Sequence, residues 1–160
     1  MELNQSTLRG ILAAILSVDE NYVVLKQGNW WNPQEKLNSP NNWCAYRIKS
    51  NRPRSAPFYN TDGKTNRVCV EKIAEIELQF VGPDSEEIAN NVSTWALRAD
   101  VKEQFAKVQG AIMYDDMNAI ATSFYQDGTN NITAWNVTLR VRWVSILDTG
   151  QQKLTAVYIN

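Results

Sequence analysis

Val68-Cys-Val-Glu-Lys-Ile-Ala-Glu-Ile-Glu-Leu-Gln-Phe-Val81, followed at once by Gly82-Pro83-Asp84, decides the fold. Within it Ala74, Ile76, Leu78 and Phe80 alternate with Glu75, Glu77 and Gln79. Period-two alternation sends the apolar set to one face and the acidic set to the other, so the stretch reads as a half-buried strand with an acidic outer face. Gly82-Pro83 ends it, and Asp84 with Glu87 has the spacing of a capping box for a helix. Ile88, Val92, Trp95, Ala96 and Ala99 give that helix an apolar face. Asp100 and Glu103 repeat the start signal, so a second helical piece carries Val101, Phe105 and Val108, with Gly110 as its stop.

Working outward, Trp135, Val137, Leu139, Val141 and Trp143 alternate with Asn136, Thr138, Arg140 and Arg142. This is a second long strand, with a basic outer face. The two alternations put Glu75/Glu77 and Arg140/Arg142 on the outward face of one sheet, and their opposite charges predict that they lie close enough for cross-strand or near-neighbour pairing. Ile112–Tyr114 and Ile120–Tyr125 read as short strands, and Asp127-Gly128 as a turn. Upstream, Leu8, Ile11, Leu12, Ile15 and Leu16 fall on one helical face, with Ser6 or Thr7 as the cap. Tyr22–Leu25 and Trp43–Lys49 read as strands. Gln27–Asn42, with Pro33, Pro40 and many Asn, is irregular. So is Ser50–Asn66, which holds Pro53, Pro57 and Asp62-Gly63. The expected architecture is one α+β domain over residues 1–160. It has a mainly antiparallel or mixed sheet packed against two or three helices, a long loop at about 50–66 and a C-terminal arm at about 148–160.

Composition narrows the chemistry. The chain has 160 residues, 44% of them hydrophobic, with 16 basic and 17 acidic side chains for a net charge of −1. A near-neutral balance argues against binding nucleic acid or anionic membranes by overall charge. No histidine is present, which removes Ser-His-Asp and Cys-His catalysis and His-ligated metals. Cys44 and Cys69 have no metal-ligand spacing and read as buried thiols in strands. Asp115, Asp116 and Asp127 lack a metal-loop spacing and read as surface turns. Glu75 and Glu77, as a hydrolytic carboxylate pair, would share an open strand face with no cleft. The expectation is a non-enzyme with no cofactor and no metal. The N-terminus has no basic leader, and Ile11–Leu16 is too short to span a bilayer, so the expected site of synthesis is a cytoplasm.

Three features invite contact with a partner. Trp30-Trp31-Asn32 reads either as a sugar-stacking platform or, preferably, as a loop with one Trp in the core and one at a subunit contact. Arg47, Lys49, Arg52 and Arg54 flank Tyr46, Phe58 and Tyr59. Interleaved basic and aromatic residues can bind single-stranded nucleic acid, but the overall charge favours a solvated edge or an acidic partner. Leu154-Thr-Ala-Val-Tyr-Ile159 is short, apolar and β-prone, with no charge after Lys153. Either it adds to its own sheet or it pairs with a neighbour's edge, the second favoured by the Gly150-containing linker. Leu154, Ala156 and Tyr158 would then face one way, and Thr155, Val157 and Ile159 the other. The interface candidates are therefore Trp30, Trp31, Arg52, Arg54, Phe58, Tyr59, Leu154 and Tyr158.

The order of elements also resembles a family. A long alternating strand ends at Phe80-Val-Gly-Pro-Asp and a helix follows. Then come a short strand with Tyr114-Asp115-Asp116, a turn, and the Trp135-x-Val-x-Leu139 strand. With the N-terminal helix, Trp30-Trp31 and the Cys44-Ala-Tyr-Arg-Ile strand, this resembles the tail terminator, or neck, proteins of tailed bacteriophages across most of residues 5–147. Arg52–Thr65 and the tail after Asp148 fall outside the shared pattern. The resemblance implies a structural virion protein assembled in the host cytoplasm. Its subunits form a ring, commonly a homohexamer, on the head-proximal end of the tail tube. The ring stops tube polymerisation and meets the tail-tube protein and a head-side connector, while DNA passes transiently through the lumen. It implies no catalytic residues and no membrane. The alternative from another class is a carbohydrate-binding module using Trp/Asn-rich loops.

Overall fold

The computed structural model describes residues 3–25, 41–61, 66–113, 117–126 and 130–147. Helix α1 (Gln5–Leu16) leads through a 3-10 turn at Glu20–Tyr22 into β1 (Val23–Leu25). Strands β2 (Trp43–Pro53), β3 (Phe58–Thr61) and β4 (Asn66–Val81) follow, then helices α2 (Ser85–Trp95) and α3 (Ala99–Ala106). The described chain closes with β5 (Gly110–Met113), β6 (Ile120–Gln126) and β7 (Asn130–Leu147). All seven strands belong to one sheet in the order β1-β2-β4-β7-β5. β3 continues beside β4 beyond β2, and β6 continues beside β7 beyond β5. Only β1 and β2 run parallel; the other described pairs are antiparallel. The expected α+β class holds, with a mixed sheet and three helices.

The helices cover one face of the centre of the sheet. Leu8, Ile11, Leu12 and Ile15 of α1 meet Ile76, Leu78 and Phe80 of β4 and Val137, Leu139 and Val141 of β7 in one buried cluster with Val92, Val101 and Phe105. The strict alternation in β4 and β7 falls on this stretch because helices cover it on one side only. Toward the other end the pattern inverts. Ile73 shares the outward face with Glu71 and Glu75, while Lys72 lies on the Trp143 side, its Nζ 5.2 Å from that ring's centroid. Trp143 is buried, and its indole N–H donates to Asn51 Oδ1 at 3.0 Å.

Several local expectations are corrected. Ser50–Asn66 is not irregular throughout: β2 continues through Pro53, and Phe58–Thr61 pairs with β4. Proline is tolerated there because Pro53 is the last residue of β2 and has β4 on one side only. Residues 62–65 lie outside the described set. The cap of α1 is Asn4, whose Oδ1 accepts from the Thr7 N–H at 2.9 Å, rather than Ser6 or Thr7. Ala99 is exposed, and the inward side of α2 is Ser85, Ala89, Val92 and Ala96. The left-handed residue after α3 is Gln109 (φ 51°), with Gly110 already opening β5. Tyr22 belongs to the 3-10 turn, its ring 4.7 Å from that of Trp43.

Candidate functional site

The outward face of the sheet carries a charge ladder. Glu75 and Arg140 are directly opposed on β4 and β7 and meet at 3.2 Å. Arg142, opposite Ile73, reaches diagonally to Glu71 at 3.0 Å. Glu77 faces Thr138 across β7 and takes its partner from the other side, Arg47 of β2, at 2.5 Å. All four side chains expected to point outward do so. What the sequence did not supply is the register, which gives Arg140 to Glu75 and Arg142 to Glu71 and leaves Glu77 to Arg47 of β2. The acidic pair considered for hydrolysis is thus two carboxylates, each gripped by a guanidinium.

This arrangement also takes apart the basic–aromatic cluster. Arg47 belongs to the ladder. Tyr46 is buried on the helical side, its hydroxyl donating to the Gln5 carbonyl at 2.9 Å. Lys49, Arg52 and Arg54 are exposed, as is Phe58 at 39%. The Arg54 N–H donates to the Glu71 carbonyl, and the Glu71 N–H donates to Ser55 Oγ, which ties the turn after β2 back to β4. Tyr59 lies in β3 opposite Val68. Trp30, Trp31, Leu154 and Tyr158 lie outside the described residues, as do Asp115, Asp116 and Asp127.

A second constellation joins β2 to α2. The expected capping box at Asp84 is absent: Asp84 precedes α2 without a side-chain cap of its own. It exchanges two hydrogen bonds with Asn42, its N–H donating to Asn42 Oδ1 and Asn42 Nδ2 donating to its Oδ2, both at 2.9 Å. Gly82 lies against this clamp with φ 131°. A Cβ there would lie 2.7 Å from Asn42 Cα and 2.9 Å from the Asn41 carbonyl oxygen. A third lies at the start of α3, where Arg98 pairs with Asp100 and its Nη1 donates to the Ile15 carbonyl of α1. That guanidinium holds the Asp100 carboxyl below its ordinary value.

Nothing reactive converges among the described residues. Burial alone pushes the Cys44 thiol far above its ordinary range, the opposite of an activated nucleophile. Among the described residues no group of three or more His, Cys, Asp or Glu side chains could hold a metal. The cleft between the helices and the sheet is lined by Leu12, Ile15, Leu78, Trp95, Ile112 and other apolar side chains, with no acid, base or nucleophile. No described helix is long and apolar enough to cross a membrane. Gln79 Oε1 and Asn136 Oδ1, on residues opposed across β4 and β7, are buried without a hydrogen-bond partner.

Strand edges, paired charge and a closed apolar core are the means of a structural protein that works through contact with other chains. Comparison with protein families agrees: the family described as phage neck terminator protein matches residues 5–160. The chain belongs to this family, and its role is structural, at the neck of a phage virion. A comparison with curated proteins finds no significant match.

Proposed function

We propose that the chain is the repeating subunit of a ring, a homohexamer, that closes the head-proximal end of the tail tube. The ring stops addition of further tail-tube protein, presents its opposite side to the head-side connector, and lets DNA pass through its lumen. It assembles in the host cytoplasm, carries no cofactor and catalyses no reaction. The observation that carries this reading is the family match across nearly the whole chain, residues 5–160. The surface chemistry supports it. With a net charge of −1 and Arg47, Arg140 and Arg142 on the sheet face each bonded to a glutamate, this part of the surface is poorly suited to hold phosphates, as a conduit requires. The carbohydrate-binding alternative rests on Trp30 and Trp31, and no described residue adds to it.

The test is length control. Tails assembled without this protein should carry tubes of unregulated length and no attached heads, and adding the purified protein should cap them. Native mass spectrometry should show a six-fold multiple of the chain mass, alone or on tubes. Tubes of normal length in its absence would refute the assignment.

A further inference from the structure

The two longest open strand edges among the described residues are built differently. Beyond its parallel pairing with β1 at Cys44–Tyr46, β2 has β4 on one side only. That edge is guarded: the register shifts between Ile48 and Ser50, the exposed Lys49 sits in the shift, and Arg52 and Pro53 follow. Bulges, lysines and prolines are how natural sheets block edge-to-edge pairing. β6 pairs with β7 in an unbroken register and has no second strand partner among the described residues. Its seven residues, Ile120-Ala-Thr-Ser-Phe-Tyr-Gln126, hold no charge, proline or glycine. Ile120 is 65% exposed, and Ala121 and Thr122 are exposed with it. β1, β3 and β5 are only three or four residues long. The unguarded edge is therefore the edge of β6, and such an edge templates strand addition.

We infer that β6 receives the Leu154–Ile159 segment of another copy of the chain, an inference that rests on the ring reading above. The segment matches the edge in kind: uncharged, β-prone and about as long. Reach decides whose segment it is. β6 lies opposite residues 130–136 of β7, whereas β7 runs on to Leu147. Asn136 to Leu147 spans roughly 35 Å along the strand, and the chain from Leu147 to Leu154 extends at most about 24 Å. Along the sheet a subunit could bring no more than about the last two residues of its own segment to its own β6, so the donor of a full strand is a neighbour. A donor at one site and an acceptor at another make a head-to-tail contact, the kind that repeats round a closed ring.

Two variants and their mixture test this. Truncation after Gln152 leaves an acceptor without a donor. Ile120→Lys with Ala121→Lys, both at exposed positions, transplants the guard of β2 onto β6 and leaves a donor without an acceptor. Each alone should keep the wild-type circular dichroism spectrum and run as a monomer by native mass spectrometry. Mixed, they should form one-to-one pairs and no ring, since only one joint can form. Rings persisting in either variant, or a mixture that stays monomeric, would overturn the inference while the wild-type ring stands. A wild-type chain that stays monomeric both alone and on tail tubes would overturn the ring, and this inference with it.

Discussion

Asn42 and Asp84 hold each other through two hydrogen bonds of 2.9 Å, one to a side chain and one to the backbone, across 42 positions of sequence. The clamp fixes where β2 begins relative to where α2 begins, and Gly82 packs against it. Asn42→Ala should cost about 1–2 kcal/mol, the range for a lost side-chain-to-backbone bond at a helix start. Asp84→Ala should cost less than Asn42→Ala, because its backbone N–H survives. The double variant should be less destabilised than the sum, as contacting residues are not additive. Urea unfolding of the four proteins measures this; strict additivity would show that the clamp bears no load.

Gly82→Ala should destabilise by more, about 2–3 kcal/mol. It combines a φ of 131° with backbone atoms of Asn41 and Asn42 closer than 3.0 Å to any Cβ. Thermal unfolding should show a fall of many degrees, and a wild-type midpoint would mean that the β4–α2 corner relaxes freely.

The charge ladder contributes specificity of register more than stability. Glu75→Gln and Arg140→Gln should each change stability by less than about 1 kcal/mol, since both side chains are partly exposed. The Arg47–Glu77 pair, less exposed, should show the larger coupling in a double-mutant cycle and the weaker dependence on salt. Equal couplings that vanish together in high salt would contradict this ranking.

The fold should weaken at alkaline pH. Burial raises the Cys44 thiol well above its ordinary 9.0, and burial first of all raises the Tyr46 hydroxyl above its ordinary 10.0. A raised folded-state value means that the folded chain holds its proton longer than the unfolded one. The associated stability is therefore complete below about pH 9 and is lost as pH climbs, by up to about 1.4 kcal/mol per pH unit per group. Cys44→Ala should be less stable at neutral pH, through a small cavity, yet lose less between pH 9 and 10.5. Thiol labelling of Cys44 at pH 8 should proceed only as fast as the protein opens; immediate reaction in the native state would refute its burial.

The sequence by itself determined what local physics controls. Period-two alternation located the covered parts of β4 and β7 and assigned Glu75, Glu77, Arg140 and Arg142 to the outside, because a pleated strand leaves no other choice of side. Helical spacing found α1, α2 and α3, and the repeated start signal at Asp100 found that the helix restarts, although the break falls earlier, so that Ala99, expected in α2, opens α3. The order of these elements also carried the family resemblance. Only the tertiary structure decided who meets whom. That Glu77 takes Arg47 and Arg142 takes Glu71 follows from the β2–β4 and β4–β7 registers, which are fixed by packing across the whole sheet. Strand β3 and the end of β2 were hidden behind Pro53 and Pro57, since proline signals irregularity locally while an edge strand tolerates it. The Asn42–Asp84 clamp joins residues too distant for any spacing rule. The openness of β6 is not a property of Ile120–Gln126 at all, because an edge exists only by virtue of the strands placed beside it.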